Sequence, residues 1–250
     1  MRLRAAVLIA VMLVANACGS EEPAEAATPI TVFAAASLTD AFTQIAADYE
    51  DQHGTEIRLS FGPSDGLATQ IQEGAPADVF ASASPKWMDA VEEDPGVRDR
   101  ADFAHNVLVI IVPAGNPAGL ASIDDLGKTG IKLVLAAEGV PVGDYAREML
   151  TNAGIADAAL GTVVSNEDDV KGVVQKVALG EADAGIVYRT DVTAAVAENL
   201  ETIDIPDDVN VVAVYPIAAL TGAPASAREF VAYVLGPGQE TLEAAGFLPP

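Results

Sequence analysis

Short apolar runs alternate along the chain with segments whose apolar residues recur every three to four positions. Ile30–Ala36 is β-rich and apolar, and Leu38–Glu50 carries Leu38, Ala41, Phe42, Ile45, Ala46 and Tyr49 at helical spacing. Strands are predicted at Glu56–Phe61, Asp78–Ala81, Asn106–Val112, Lys132–Ala136, Thr162–Val164, Ala184–Tyr188 and Val211–Leu220. Helices are predicted near Gly66–Glu73, Pro85–Glu92, Gly143–Asn152, Asp169–Leu179, Asp191–Asn199, Ser226–Leu235 and Gln239–Ala245. Short buried strands alternating with amphipathic helices imply an α/β fold with parallel sheets covered on both faces. Asn106–Val112 and Val211–Leu220 are the longest apolar strands and suit crossovers between two lobes. The expected division is residues 28–105 plus 217–250 in lobe 1 and 106–216 in lobe 2; the alternative is one doubly wound sheet.

The N-terminus reads differently. Arg2 and Arg4 precede an unbroken apolar run, Ala5–Ala15, and Ala17-Cys18-Gly19 follows. A basic start, an apolar stretch too short to span a bilayer and small residues beyond it describe a secretory leader over residues 1–17. Cys18 stands where a lipoprotein signal places its acylated cysteine, although Ala15 and Asn16 depart from the usual lipobox. The other reading is an ordinary signal peptide with Cys18 an incidental thiol. Residues 18–27 are small and acidic with one Pro, a tether. The expected mature protein is extracytoplasmic, held on the outer face of the cytoplasmic membrane by lipid.

Charge narrows the function. The chain has 37 acidic and 13 basic residues among 250, a formal charge of −24. Nucleic-acid binding, which rests on Lys and Arg displacing counterions, is excluded on that balance. One cysteine rules out a disulfide framework and any CxxC pair, and two histidines, His53 and His105, are a poor basis for a metal site. Half of the residues are apolar, enough for a sizeable core.

Chemistry is sought where strands run into helices, because open α/β sheets bind ligands beyond strand carboxyl ends, at helix N-termini with free N–H groups. Five junctions qualify: Ala35-Ala36-Ser37-Leu38-Thr39-Asp40, Gly62-Pro63-Ser64-Asp65-Gly66, Gly139-Val140-Pro141-Val142-Gly143, Ser165-Asn166-Glu167-Asp168-Asp169-Val170 and Gly185-Ile186-Val187-Tyr188. Each offers hydroxyls or backbone N–H groups, and none has Lys or Arg on its strand side. The second is also a literal GxSxG, which in a serine hydrolase would make Ser64 the nucleophile. That fold orders its triad Ser, acid, His, and His105 is the one histidine after Ser64, close for such a triad.

Val32-Phe33-Ala34-Ala35-Ala36-Ser37-Leu38-Thr39 resembles the opening motif of molybdate-binding proteins of bacterial ABC importers. Gly74-Ala75-Pro76-Ala77-Asp78-Val79-Phe80, Lys86-Trp87-Met88-Asp89, Pro141-Val142-Gly143-Asp144-Tyr145-Ala146, Asp168-Asp169-Val170-Lys171-Gly172 and Gly185-Ile186-Val187-Tyr188 continue the likeness in order. The resemblance implies a two-lobed periplasmic-binding-protein fold that closes on a tetrahedral oxyanion and performs no catalysis. It places hydroxyl donors on Ser37 and Ser64, backbone N–H donors on Val142 and Val170, and a tyrosine on Tyr188. It further implies molybdate or tungstate as cargo rather than cofactor, with no direct metal ligand, and delivery to a permease with a cytoplasmic ATPase. A monomer is expected. Sulfate and phosphate are the alternative anions. Asp65 departs from the small or hydroxyl residue common after the second serine; turned inward it would repel a dianion, turned outward it would face the helix dipole and solvent.

Overall fold

The computed structural model describes residues 28–250. The leader, Cys18 and the tether lie outside the described residues. Strands β1 (Ile30–Ala35), β2 (Ile57–Gly62) and β3 (Val79–Ala81) run parallel, with β1 between the other two. Helices α1 (Thr39–His53), α2 (Ser64–Gln72) and α3 (Pro85–Glu93) follow them in turn. In the second half, β5 (Leu133–Ala136) lies parallel to both β6 (Val163–Glu167) and β7 (Ala184–Tyr188). Helix α4 (Pro141–Asn152) and short α5 (Ala156–Leu160) separate β5 from β6, and α6 (Val170–Ala178) separates β6 from β7. Helices α7 (Ala225–Leu235) and α8 (Gly238–Ala244) close the chain.

Two strands tie these halves together, and both run antiparallel to their neighbours. β4 (Val97–Pro113) pairs along Val97–Val107 with β9 (Val212–Leu220), which pairs in turn with β3. Beyond that point Leu108–Ile111 pair with β7, and Val109–Pro113 pair with β8 (Leu200–Asp204). One strand is therefore shared by both sheets, and two-lobed architecture follows from where its partners change. The parallel pattern expected from alternation holds in each lobe's β–α units. It fails at β4, β8 and β9, where direct returns between lobes need no crossover helix.

Two local expectations need correction. The helix expected over Asp191–Asn199 is absent: Arg189–Asp191 and Ala197–Asn199 form separate single 3₁₀ turns, and β8 begins at Leu200. Asp191 folds its carboxylate back to accept the Tyr188 N–H at 3.2 Å, and Val192 leaves helical backbone geometry at φ −85°, ψ 69°. β4 starts nine residues before the predicted Asn106: its first stretch carries exposed Arg98 and Asp99 and half-buried Arg100, charges that hide a strand.

The core explains the strand composition. Ile30, Val32, Ala34, Val79, Ala81, Leu108, Ile110, Leu133, Leu135, Ile186 and Val187 are buried on sheet faces that helices cover. Alanine in β1 lets α1 and its neighbours pack close to the strand ends. A line of rings, Phe42, Phe103, Tyr215 and Tyr188, runs edge to face with centroids 5.7, 6.3 and 5.7 Å apart, reaching from the α1 side of one lobe to the end of β7 in the other.

Candidate functional site

Four strand-to-helix junctions converge between the lobes, two from each. From the first come a 3₁₀ turn, Ala36–Leu38, leading into α1, and the start of α2 at Ser64. From the second come the starts of α4 at Pro141 and of α6 at Val170. The first N–H groups of a helix have no partner within it. At Ala35, Pro63 and Val140, which occupy the N-cap positions of three of these ends, no side chain caps them. Only Asp169 acts as a side-chain cap, its Oδ1 accepting the Gly172 N–H at 2.9 Å. The four positive dipole ends face one narrow cleft.

Gly143 fixes how closely α4 approaches. A Cβ there would stand 2.2 Å from the Ala137 carbonyl oxygen and 2.6 Å from that of Ala136, so only glycine lets the first turn of α4 settle on the end of β5. Arg147 secures the same turn from behind: it donates to the carbonyls of Ala136 (2.9 Å) and Gly143 (2.8 Å) and to Asn166 Oδ1 (2.8 Å).

Ser37, Ser64, Val142, Val170 and Tyr188 all line this cleft, so the structure brings the five sequence-selected residues to one place. Each is buried. Ser37 Oγ lies 3.0 Å from the hydroxyl of Tyr215. Ser64 Oγ accepts the Ala83 N–H at 3.0 Å, which leaves its own proton for a second partner. Val142 and Val170 present first-turn amides. The Tyr188 hydroxyl is buried and has no hydrogen-bond partner among the described residues. Burial pushes the Tyr188 pKa well above the usual phenol value, helped by Tyr215, Tyr145 and Asp191 nearby, so the group keeps its proton and can donate.

Among the described residues no lysine or arginine lines the cleft, and the one charged side chain there, Asp169, is engaged as a cap. The inventory is donors without countercharge: hydroxyls, amides and helix ends. Such a site suits a guest that only accepts hydrogen bonds.

Asp65 lies on the first turn of α2 but does not line the cleft; its Oδ2 sits 3.9 Å from where a Cβ on Gly139 would be, at the seam between the lobes. The hydrolase reading also meets its test here. His105 is in β4, pairing through its backbone with Leu248, and His53 is exposed at the end of α1, stacked on Tyr49 at 4.3 Å. Neither histidine lines the cleft with Ser64.

Sequence reasoning missed Tyr215, Asp191 and Arg147. Tyr215 reads as one more apolar position in a strand, and its partnership with Ser37 spans 178 residues. Arg147 points back along α4, a direction that spacing does not reveal.

Residues 30–248 match a family described as bacterial extracellular solute-binding protein. The chain belongs to that family. Among its relatives, the molybdate-binding protein ModA of Mycobacterium tuberculosis (strain ATCC 25618 / H37Rv) is 40% identical over 257 residues, covering 97% of each chain. The Bacillus subtilis (strain 168) protein named putative ABC transporter substrate-binding lipoprotein YvgL is 32% identical over 238 residues, 92% of this chain and 90% of its own. Among solved structures, the periplasmic molybdate-binding protein of Azotobacter vinelandii superposes with a TM-score of 0.76 at 25% identity, covering 88% of this chain and 99% of the other. This solute-binding protein is accordingly not an enzyme, and Ser64 is a helix-initiating hydroxyl rather than a nucleophile.

Proposed function

We propose that this solute-binding protein captures molybdate, with tungstate as a near-equivalent cargo, outside the cytoplasmic membrane and delivers it to an ABC importer. The buried, unpartnered hydroxyl of Tyr188, facing four helix N-termini and no cation, carries the reading. Near neutral pH molybdate is a dianion with four acceptor oxygens and no proton to give. Ser37, Ser64 and Tyr188 supply hydroxyl donors, and Val142 and Val170 supply amides. Hydrogen bonds to a charged group contribute roughly 1.5–3 kcal/mol each, so five supply on the order of 8–15 kcal/mol gross. Micromolar binding needs about 8 kcal/mol net. No countercharge is required, which reconciles an anionic guest with a chain of formal charge −24.

The names of the relatives favour molybdate over the other tetrahedral anions. Hydrogen phosphate carries a proton and seeks an acceptor, whereas the cleft's one carboxylate, Asp169, already caps α6. Sulfate shares the charge and symmetry of molybdate but is smaller, so the lobes would have to close further to bring the same donors onto it.

The anchor belongs to the same proposal. Arg2, Arg4 and the apolar run Ala5–Ala15 support export, and Cys18 directly beyond them supports lipid attachment. The YvgL relative is itself named a lipoprotein. No helix among the described residues is long and apolar enough to cross a membrane. Mass spectrometry of the membrane fraction should find acyl chains on Cys18.

Thermal unfolding with molybdate, tungstate, sulfate and phosphate tests the cargo. A ligand at a thousand times its Kd adds about 4 kcal/mol, or roughly 10 °C for a chain of this size. Shifts of that order are expected with the first two anions and little with the others. A larger shift with sulfate than with molybdate would overturn the assignment.

A further inference from the structure

In the segment Lys86-Trp87-Met88-Asp89, Met88 is buried in the core of the first lobe and Trp87 packs partly buried against it, but the polar ends of Lys86 and Trp87 serve neither that core nor the cleft. Lys86 and Trp87 sit on the first turn of α3, in the lobe of the first sheet, and both reach across to the other lobe. The Trp87 Nε1–H donates to the carbonyl of Gly139 at 2.8 Å. Lys86 Nζ meets Asp144 Oδ2 at 3.0 Å, and the other oxygen of Asp144 accepts the Gly139 N–H at 2.8 Å. The Lys86 ammonium also lies 4.8 Å over the Trp87 ring. Both backbone polar groups of Gly139 are thus held, one from its own lobe and one from the opposite lobe. Gly139 adopts φ +92°, a conformation that aims its carbonyl at the indole and that an L side chain rarely takes.

Gly139 stands two residues before Pro141, where α4 begins, and three before Val142. Whatever pins Gly139 also pins the helix end that faces the cleft. We infer that Trp87 and Lys86 are positioning residues forming a latch between the lobes, one that engages on closure and governs how slowly the anion leaves. The inference rests on the anion-binding function proposed above. Contacts made only in the closed arrangement favour it over the open one and therefore act on release. An exposed ion pair such as Lys86–Asp144 contributes little alone. The half-buried indole bond is the stronger member, and Lys86 orients it through the ring and through Asp144.

Trp87 is the single tryptophan of the sequence, so its emission reports the latch directly. The test uses the mature chain, its Trp87→Phe variant and its Lys86→Met variant. Molybdate association and release are measured with the labelled anion, and in the two Trp-containing proteins by stopped-flow fluorescence as well. Losing one hydrogen bond of this kind should speed release roughly 3–10-fold in Trp87→Phe, with association and the unliganded Tm essentially unchanged. Lys86→Met should release about twofold faster and show a smaller emission change on binding. Release at the parental rate in Trp87→Phe overturns the latch while leaving molybdate binding intact. A fall in unliganded Tm with equal slowing of association would make Trp87 a packing residue and overturn it too. Failure of the parent chain to bind molybdate, by contrast, overturns the functional reading on which the latch rests.

Discussion

The hydroxyls of Ser37 and Tyr215 lie 3.0 Å apart, although 178 residues separate them. Ser37 follows β1 at the head of the turn into α1, whereas Tyr215 belongs to β9, and both are buried. Tyr215 also packs its ring edge to face against Tyr188 at 5.7 Å. Burial, and secondarily the charge of Asp191, holds its pKa well above the usual phenol value, so it stays protonated. Tyr215 therefore orients the Ser37 hydroxyl and packs against the Tyr188 ring without lining the cleft. Tyr215→Phe keeps the ring packing and removes the hydroxyl that bonds Ser37. Calorimetry should show molybdate affinity weakened by about 0.5–1.5 kcal/mol. An unchanged Kd would mean that Ser37 needs no such support.

Val170 tests whether an amide, rather than a side chain, contributes to binding. It is the first residue of α6 and follows Asp169, whose backbone is extended at φ −152°, ψ 177°. Proline is tolerated at this helix position and after an extended residue. Val170→Pro thus deletes one N–H while the Asp169 cap on Gly172 survives. Molybdate binding should weaken by about 1.5–3 kcal/mol. Val170→Ala, which trims the side chain but keeps the amide, should bind within a few-fold of the parent.

Asp191 makes stability depend on pH. Its side chain is fully buried; Oδ2 accepts the Tyr188 N–H, and Oδ1 lies 3.9 Å from Lys171 Nζ without a hydrogen bond. Burial raises the pKa from 3.8 to about 7, against the pull of Lys171 and the Tyr188 amide and with the push of Asp169 and Asp40. Between those two values the folded chain holds a proton that the unfolded chain has lost. Stability from this group is therefore full below the unfolded pKa and is lost as pH rises through the folded one, a span worth up to about 4 kcal/mol. The Tm of the parent should fall more steeply between about pH 4 and 7 than that of Asp191→Asn, which keeps an acceptor for Tyr188 and cannot ionise. Parallel slopes in the two proteins would remove Asp191 from the account.

Gly143 should tolerate no side chain. An alanine Cβ would overlap two backbone carbonyls, at 2.2 and 2.6 Å, and neither is the movable end of a flexible side chain. Gly143→Ala should lower stability by about 1–3 kcal/mol and displace the first turn of α4, weakening molybdate binding as well. A variant that melts and binds like the parent would mean that α4 can shift freely on β5.

The cleft was legible in the sequence because each contributor is local. Ser37, Ser64, Val142, Val170 and Tyr188 sit within a few residues of a strand end, and a strand end next to a helix start is visible in a short window. Their convergence was not visible in periodicity; it came from topology and from the family likeness. Long-range partners left no trace, since nothing near Trp87 announces Gly139 and nothing near Ser37 announces Tyr215. The segment from Asp191 to Asn199 misled for a different reason. Its Val and Ala spacing mimics a helix, while the buried Asp191 closes a tight turn that only tertiary burial explains. The first stretch of β4 is hidden for another reason, because charged residues on a strand at the surface look like loop.

A cage assembled from dipoles also governs unloading. Among the described residues no fixed positive charge lines the cleft to follow the cargo outward, so once the two pairs of helix ends draw apart, each wall keeps only part of the donor set to compete with water for the anion. A transporter that pries the halves open would thereby empty the carrier in one movement, without neutralising a single side chain.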